Sequence, residues 1–338
     1  EEYIYKRKQL PAAIFSHNLQ TLGAQTLTPQ TTTGSSGILG RILTALETQA
    51  AGTGAPPLKT SAYSVTASRT IFRGAPSEPI LLEALDGMMT FDGSQTANNA
   101  NNPAERTTSL SAINRLVSKE SSSIFGTAHN TIVRRSLFES NRVAAILRNS
   151  TLTQNWQSAQ GQASAGHGGQ FVGQLQQVAS VIASRHALEA ERDVFYVELG
   201  GFDHHADVLD SLQDKYGDVN VALQYFVAEM KALGMWGSVT VQSLSEFGRT
   251  MTSNGRGTDH AWGGNHWTMG GAVKGGLLHG TYPELRVDGP NCLSSTCPML
   301  PSSPWETIWK PLAEWLGVRE DQLPEVMPNL QRFPPELL

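Results

Sequence analysis

Charge is scarce in this chain, and cysteine is scarcer. Charged residues make up only 16% of the 338, no extended block of lysine and arginine occurs, and the formal net charge is −5. Without clustered basic residues there is nothing to neutralise phosphates, so general nucleic-acid binding is excluded. No run of about 18 apolar residues is present, which excludes a membrane-spanning helix. No internal repeat is visible. The only cysteines are Cys292 and Cys297, and with no second ligand pair nearby they make a weak zinc signal.

Hydrophobic residues at 39% and 32 glycines describe a globular chain, long enough for one large α/β domain or two small ones. Cys292 and Cys297 sit in NCLSSTCP, a Pro/Ser-rich loop in which they read as a short-loop disulfide or as two free thiols. The disulfide is the expectation, and with it an oxidising compartment. Asn149-Ser150-Thr151 is a glycosylation sequon, compatible with secretion and common by chance. The sequence opens on EEYIYKRKQLPAAIF, without initiator methionine or signal peptide. The expectation is that an upstream segment is missing and that any signal lies there.

Periodicity supplies the elements. Gly34 to Gln49 carries Ile42, Leu43 and Leu46 at helical spacing. SAYSVT and PILLE read as strand-like fragments, 93–108 as an Asn-rich loop, and 108–120 and 126–149 as helices. A helix over 170–189 has an apolar stripe of Val172, Leu175, Val178, Val181 and Ile182. Then Asp193 to Leu199 reads as a buried strand, 207–233 as a long helix, and Gly237 to Leu244 as the next strand. A strand-helix-strand unit implies a parallel sheet with helices on its faces. Sites in such sheets lie at the carboxyl ends of strands. Pro304 to Val318 is an amphipathic, tryptophan-rich helix.

Two polar clusters fall at those carboxyl ends: GGFDHHAD (Gly200 to Asp207) and the stretch from Glu246 to Gly276. Carboxylates and imidazoles among many glycines suit a metal or anion site, where backbone must approach closely. Asp203 and His205 project to one side of an extended turn and can grip one ion; otherwise Asp203 is a helix cap beside solvent-facing imidazoles. Glu246 reads as a metal ligand with Arg249 binding an oxyanion, or the two form a salt bridge that shapes the loop. Asp259, His260 and His266 ligate, or Asp259 orients an imidazole, or the three hold a metal-free loop together. Ser16 beside His17 is a weak nucleophile signal.

FSHNLQ, GILGR, GGFDHHAD, SEFGRT and GTDHAWGGNHWTMGGAVKGG, in this order, resemble the DUF1501 family across essentially the whole chain, 1–338, read as a single domain. That family is similar to the alkaline phosphatase and sulfatase superfamily. The resemblance implies an α/β fold, a three-layer αβα sandwich with a mostly parallel central sheet. It also implies hydrolysis of a small anionic phosphate or sulfate ester by a secreted enzyme with a divalent metal, Zn, Mn, Fe or Ca. Carried over by motif, the ligands are Asp203, His205, Glu246, Asp259, His260 and His266, with Ser16 as nucleophile and Arg249 as the anion-stabilising group. An early Asp-bearing segment of the family lies outside this sequence, and an association with it is expected. Where the superfamily has a strand-end Asp-His-Gly, this chain has Glu246-Phe247-Gly248, and Phe247 cannot ligate. The alternative is therefore a non-catalytic extracellular protein that keeps the fold and associates with other extracellular chains.

Overall fold

The computed structural model describes residues 14–30, 35–49, 58–66, 70–84, 115–119 and 123–335. In chain order the helices and strands are α1 (His17–Thr26), α2 (Ile38–Thr48), β1 (Thr60–Ser64), β2 (Ile80–Leu81), α3 (Ile124–Leu147), α4 (Trp156–Gln162), α5 (His167–Ala183) and α6 (Arg185–Leu188). They continue with β3 (Arg192–Tyr196), α7 (Val208–Ala232), β4 (Thr240–Gln242), β5 (Gly248–Arg249), β6 (His260–Ala261), β7 (Thr268–Gly270), α8 (Glu306–Leu316) and α9 (Leu323–Val326). The expected Asn-rich loop at 93–108 lies outside the described residues, as does all but 115–119 of the expected helix at 108–120.

Three strands form a parallel sheet in the order β2-β1-β3, with Tyr63 opposite Phe195 and Ile80. Alternate side chains leave opposite faces of a strand, and each face has its own core. Tyr63, Phe195 and Val197 pack with α5 and α7 residues such as Val172, Leu175 and Phe226. Ala62, Val194 and Tyr196 pack with α2 and α8 residues such as Ile42, Leu46 and Trp309. The fold is thus mixed α/β, with helices covering both faces of a small parallel sheet. The apolar stripe expected on α5 is buried throughout. On α7, Phe226 and Met230 are buried while Leu209 is exposed, because the first turn lies beside the polar cluster rather than over the core.

One expectation about the sheet needs correction. Strands β3 and β4 do flank α7, but they do not pair with each other. Strand β4 pairs antiparallel with β7, Thr240 opposite Gly270 and Gln242 opposite Thr268. A local strand-helix-strand pattern fixes the order of elements and not the partner of each edge, and the glycine-rich segment returns to occupy one edge of β4.

One buried and one half-buried charge lock the helices. Glu229, fully buried on α7, accepts from Thr153 N (2.9 and 3.1 Å), Thr153 Oγ1 (3.0 Å), Gln154 N (2.9 Å) and Trp156 Nε1 (3.2 Å). It therefore fixes the turn that starts α4. Burial by itself raises its pKa, but these donors outweigh burial and hold it below the ordinary value. On α2, Arg41 donates to the carbonyls of Val326 (2.6 Å), Thr26 (2.9 Å) and Ser36. It ties the ends of α1 and α9 together, with burial lowering its pKa to about 10.

Candidate metal centre at the strand ends

The chain leaves β3 through Gly200-Gly201, and Gly201 takes a left-handed φ of 83°, which costs a glycine little. That turn presents Asp203. Beyond β4 the chain enters β5, where a Cβ on Gly248 would stand 1.9 Å from the Gly263 carbonyl oxygen. Only a glycine lets the β5–β6 pair, with Arg249 opposite His260, close over the same point. Helix α1 brings His17 from the other side.

Three imidazoles surround one carboxylate. Asp203 Oδ1 lies 2.6 Å from His260 Nε2 and 2.9 Å from His205 Nε2, and Oδ2 lies 3.1 Å from His17 Nε2. Each ring is held from behind through its other nitrogen. His17 Nδ1 is 3.2 Å from Glu246 Oε1, His205 Nδ1 is 3.1 Å from Asp259 Oδ1, and His260 Nδ1 is 3.0 Å from the Phe15 carbonyl. Asp259 in turn accepts from Asn254 Nδ2 at 3.0 Å. Phe247 stacks on His260 with ring centroids 4.3 Å apart. Arg249 Nη2 stands 3.7 Å from Asp203, and the guanidinium donates to the carbonyls of Thr258 and Phe202.

This arrangement suits a cation at its centre. A neutral imidazole that donates Nδ1–H to an oxygen has a lone pair on Nε2, and here that lone pair would face the carboxylate. A metal ion between ring and carboxylate relieves the repulsion. Burial raises the pKa of Asp203, but hydrogen bonds from His260 and His17 outweigh it and hold the carboxyl far below the usual range. The same contact with Asp203 raises His17. Rings anchored through Nδ1 to carboxylates or a carbonyl, with Nε2 converging, match the way protein metal sites orient imidazole ligands. One ligand atom each from His17, Asp203 and His260 lies within 4.8 Å of the others, so the donor set fits a divalent metal.

The structure sorts the residues singled out in the sequence. Asp203, His205 and His260 meet directly. Glu246 and Asp259 reach the group through the imidazoles of His17 and His205. His266 lies elsewhere: its ring packs on Trp305 with centroids 4.9 Å apart, and burial lowers its pKa. Ser16 is the N-cap residue of α1 and makes no side-chain capping bond. His17 in a ligand position was not legible, since its partners lie 186 and 229 positions away and no local spacing marks it. Cys292 and Cys297 are joined in a disulfide with Cα atoms 4.5 Å apart, which fits an oxidising compartment. Among the described residues no helix is long and apolar enough to cross a membrane.

No curated protein and no solved structure matches the sequence. A family model does match, over residues 1–291, described as a protein of unknown function. The motifs that build the imidazole cluster lie inside that span, and the chain belongs to the DUF1501 family.

Proposed function

We propose that the chain is a metal-dependent hydrolase of phosphate or sulfate esters, secreted, and built as a three-layer αβα sandwich of the alkaline phosphatase type. The observation that carries this reading is the convergence of three Nδ1-anchored imidazoles on Asp203 at the carboxyl ends of β3 and β4. His17, Asp203 and His260 would hold the ion, with His205 beside them. When bound, a divalent metal polarises an ester oxygen and lowers the pKa of an attacking hydroxyl.

The chain's own residues supply the rest. Glu246, Asp259 and the Phe15 carbonyl fix the ring orientations. Arg249 ties the Asp203 turn to the 258 loop and places positive charge 3.7 Å from the carboxylate, where an anionic oxygen gains from it. Ser16, adjacent to His17 at the head of α1, is the nucleophile in this reading. The disulfide supports an extracellular setting, and exposed Asn149 is open to glycosylation there.

A second reading, a non-catalytic extracellular protein that keeps the fold, draws on Phe247. Its ring stacks on His260 and supplies no ligand toward a two-metal centre.

Elemental analysis of natively purified, unchelated protein, followed by turnover of aryl phosphate and aryl sulfate, separates these readings. About one equivalent of metal with turnover lost in folded Asp203→Ala and His260→Ala supports the hydrolase. Bound metal without turnover supports the second reading, and a metal-free chain overturns the metal centre.

A further inference from the structure

The hairpin β5–β6 carries Arg249 and His260, and it is short. Two residue pairs join its strands, Gly248 with Ala261 and Arg249 with His260, and an isolated two-stranded hairpin is marginal in water. Helix α1 supports it through one bond, from Gln20 Nε2 to the Ala261 carbonyl (3.0 Å). The other support comes from the 296–299 segment. Beyond β5, Met251 N donates to the Cys297 carbonyl (3.2 Å), and Thr252 donates to the Thr296 carbonyl through N (3.4 Å) and Oγ1 (2.9 Å). Beyond β6, Gly263 N donates to the Met299 carbonyl (3.0 Å). A Cβ on Gly263 would stand 2.8 Å from that oxygen, so glycine permits the approach. Both legs of the hairpin are thus held just past the residues they carry.

The holding segment is itself clamped. Residues 291–300 turn back on themselves, with Cys292 bridged to Met299. Leu293 N donates to the Pro298 carbonyl (3.1 Å) and Leu300 N to that of Asn291 (2.9 Å). The Cys292–Cys297 disulfide closes the turn. Cys297 is fully buried and takes a φ of 53°, in the left-handed region that a residue with a Cβ seldom adopts. The cross-link holds it there, and in that conformation its carbonyl accepts from Met251 N. Cys292 is half-buried beside exposed Ser294, Ser295 and Thr296, so a small reductant reaches its sulfur from solvent.

We propose that this disulfide gates the candidate metal centre: with Cys292 and Cys297 reduced, His260 is no longer fixed against Asp203 and metal affinity falls. The proposal rests on the metal-centre reading. Opening proceeds by exchange with a dithiol. One thiolate of the dithiol attacks Cys292 Sγ, and Cys297 Sγ leaves with the electron pair and takes up a proton. The second thiol then displaces Cys292, which is protonated in turn. Two electrons and two protons thus pass to the cysteine pair, and the reductant departs as a disulfide. Without the cross-link Cys297 relaxes to negative φ, its carbonyl turns from Met251, and the hairpin keeps its two residue pairs and the bond from α1. The disulfide form of the reductant reverses each step. The chain therefore holds metal tightly where disulfides form and weakly where dithiols prevail.

Calorimetric titration with Zn²⁺ tests this by comparing the chain with its Cys292→Ala/Cys297→Ala variant, which has no thiol to bind zinc itself. The variant should bind about tenfold to a hundredfold more weakly, as when the supports behind a ligand are removed. Amide hydrogen exchange gives a readout that needs no metal. The amides of Met251 and Gly263 should exchange about tenfold faster in the variant and in the dithiol-reduced chain, while those of α5 stay unchanged. Reoxidation of the reduced chain should restore the slow exchange. Equal zinc affinity in chain and variant overturns the proposal and leaves the metal reading standing, whereas zinc binding by neither overturns both. Unchanged exchange at Met251 and Gly263 overturns the proposal. Faster exchange in α5 as well does the same, because the disulfide would then hold the whole fold and not the hairpin.

Discussion

Replacing Glu229 by glutamine keeps its shape and removes its charge. The carboxylate accepts from two backbone N–H groups, one hydroxyl and one indole N–H. Glutamine can keep the Gln154 and Trp156 donors by placing its oxygen at Oε2, since the Thr153 hydroxyl can rotate to accept from the new amide. What is lost is charge assistance and the better Thr153 N–H bond. A bond to an ionised acceptor contributes about 1.5–3 kcal/mol against about 0.5–1.5 for a neutral one, so the loss is about 2–4 kcal/mol. Glu229→Met should cost more, about 3–9 kcal/mol, because it leaves three N–H donors without their acceptor, that of Trp156 buried and those of Thr153 and Gln154 part-buried, each at about 1–3 kcal/mol. Urea midpoints at constant m-value measure both. The pH dependence gives a separate check. Because the folded pKa is depressed, this stability is present above the ordinary value of 4.5 and lost as pH falls through the folded value. Glu229→Gln should therefore flatten the acid limb of the stability curve. A glutamine variant within about 0.5 kcal/mol of the parent, the scatter of neutral surface changes, refutes the reasoning, as does a methionine variant more stable than the glutamine one.

Asp193, pushed up to about 7 by burial, works in the opposite direction. Its contribution is full below about pH 4 and is lost as pH rises through 7, by at most about 4 kcal/mol at 1.36 kcal/mol per unit. Asp193→Asn should remove that slope between pH 5 and 8 in denaturant titrations, and an unchanged slope would show that the carboxyl is solvated. Arg41→Lys loses a planar fork that serves three carbonyls and should cost about 2–4 kcal/mol. Limited proteolysis should then cut faster around α9, and an unaltered cleavage rate counts against the staple. At the candidate metal centre, Glu246→Gln should weaken metal binding 10- to 100-fold by calorimetry, whereas His266→Ala should leave it unchanged. A metal loss on changing His266 would place that ring in the site after all.

Much of the α/β character could be read from the chain because periodicity is local. The stripe of α5, the long α7 and the tryptophan helix α8 each bury residues spaced three or four apart, and the same spacing is visible in the sequence. Helix α4 was missed because its seven residues carry almost no stripe, and the carboxylate that fixes its start, Glu229, lies 73 to 76 positions away. Strands β5, β6 and β7 were missed because runs of two or three residues among glycines have no period to detect.

The site divides in the same way. Asp203, His205 and His260 were legible because glycine-rich turns with adjacent acids and imidazoles have few structural uses. Their chemical types are fixed by sequence. Which atoms meet is not. His17 joins the cluster because α1 packs across the strand ends, His266 leaves it because its ring finds Trp305, and Glu246 and Asp259 serve through imidazoles instead of standing directly among the converging atoms. Strand β3 likewise does not pair with β4, and backbone donors carry no residue identity from which that could be read. Sequence by itself determined the longer helices, the strands β1 to β4 along the chain and the chemistry of the polar loops, all set within a few residues. Only tertiary structure decided which edges pair and which nitrogens face the carboxylate, since both depend on groups brought together from up to 245 positions apart.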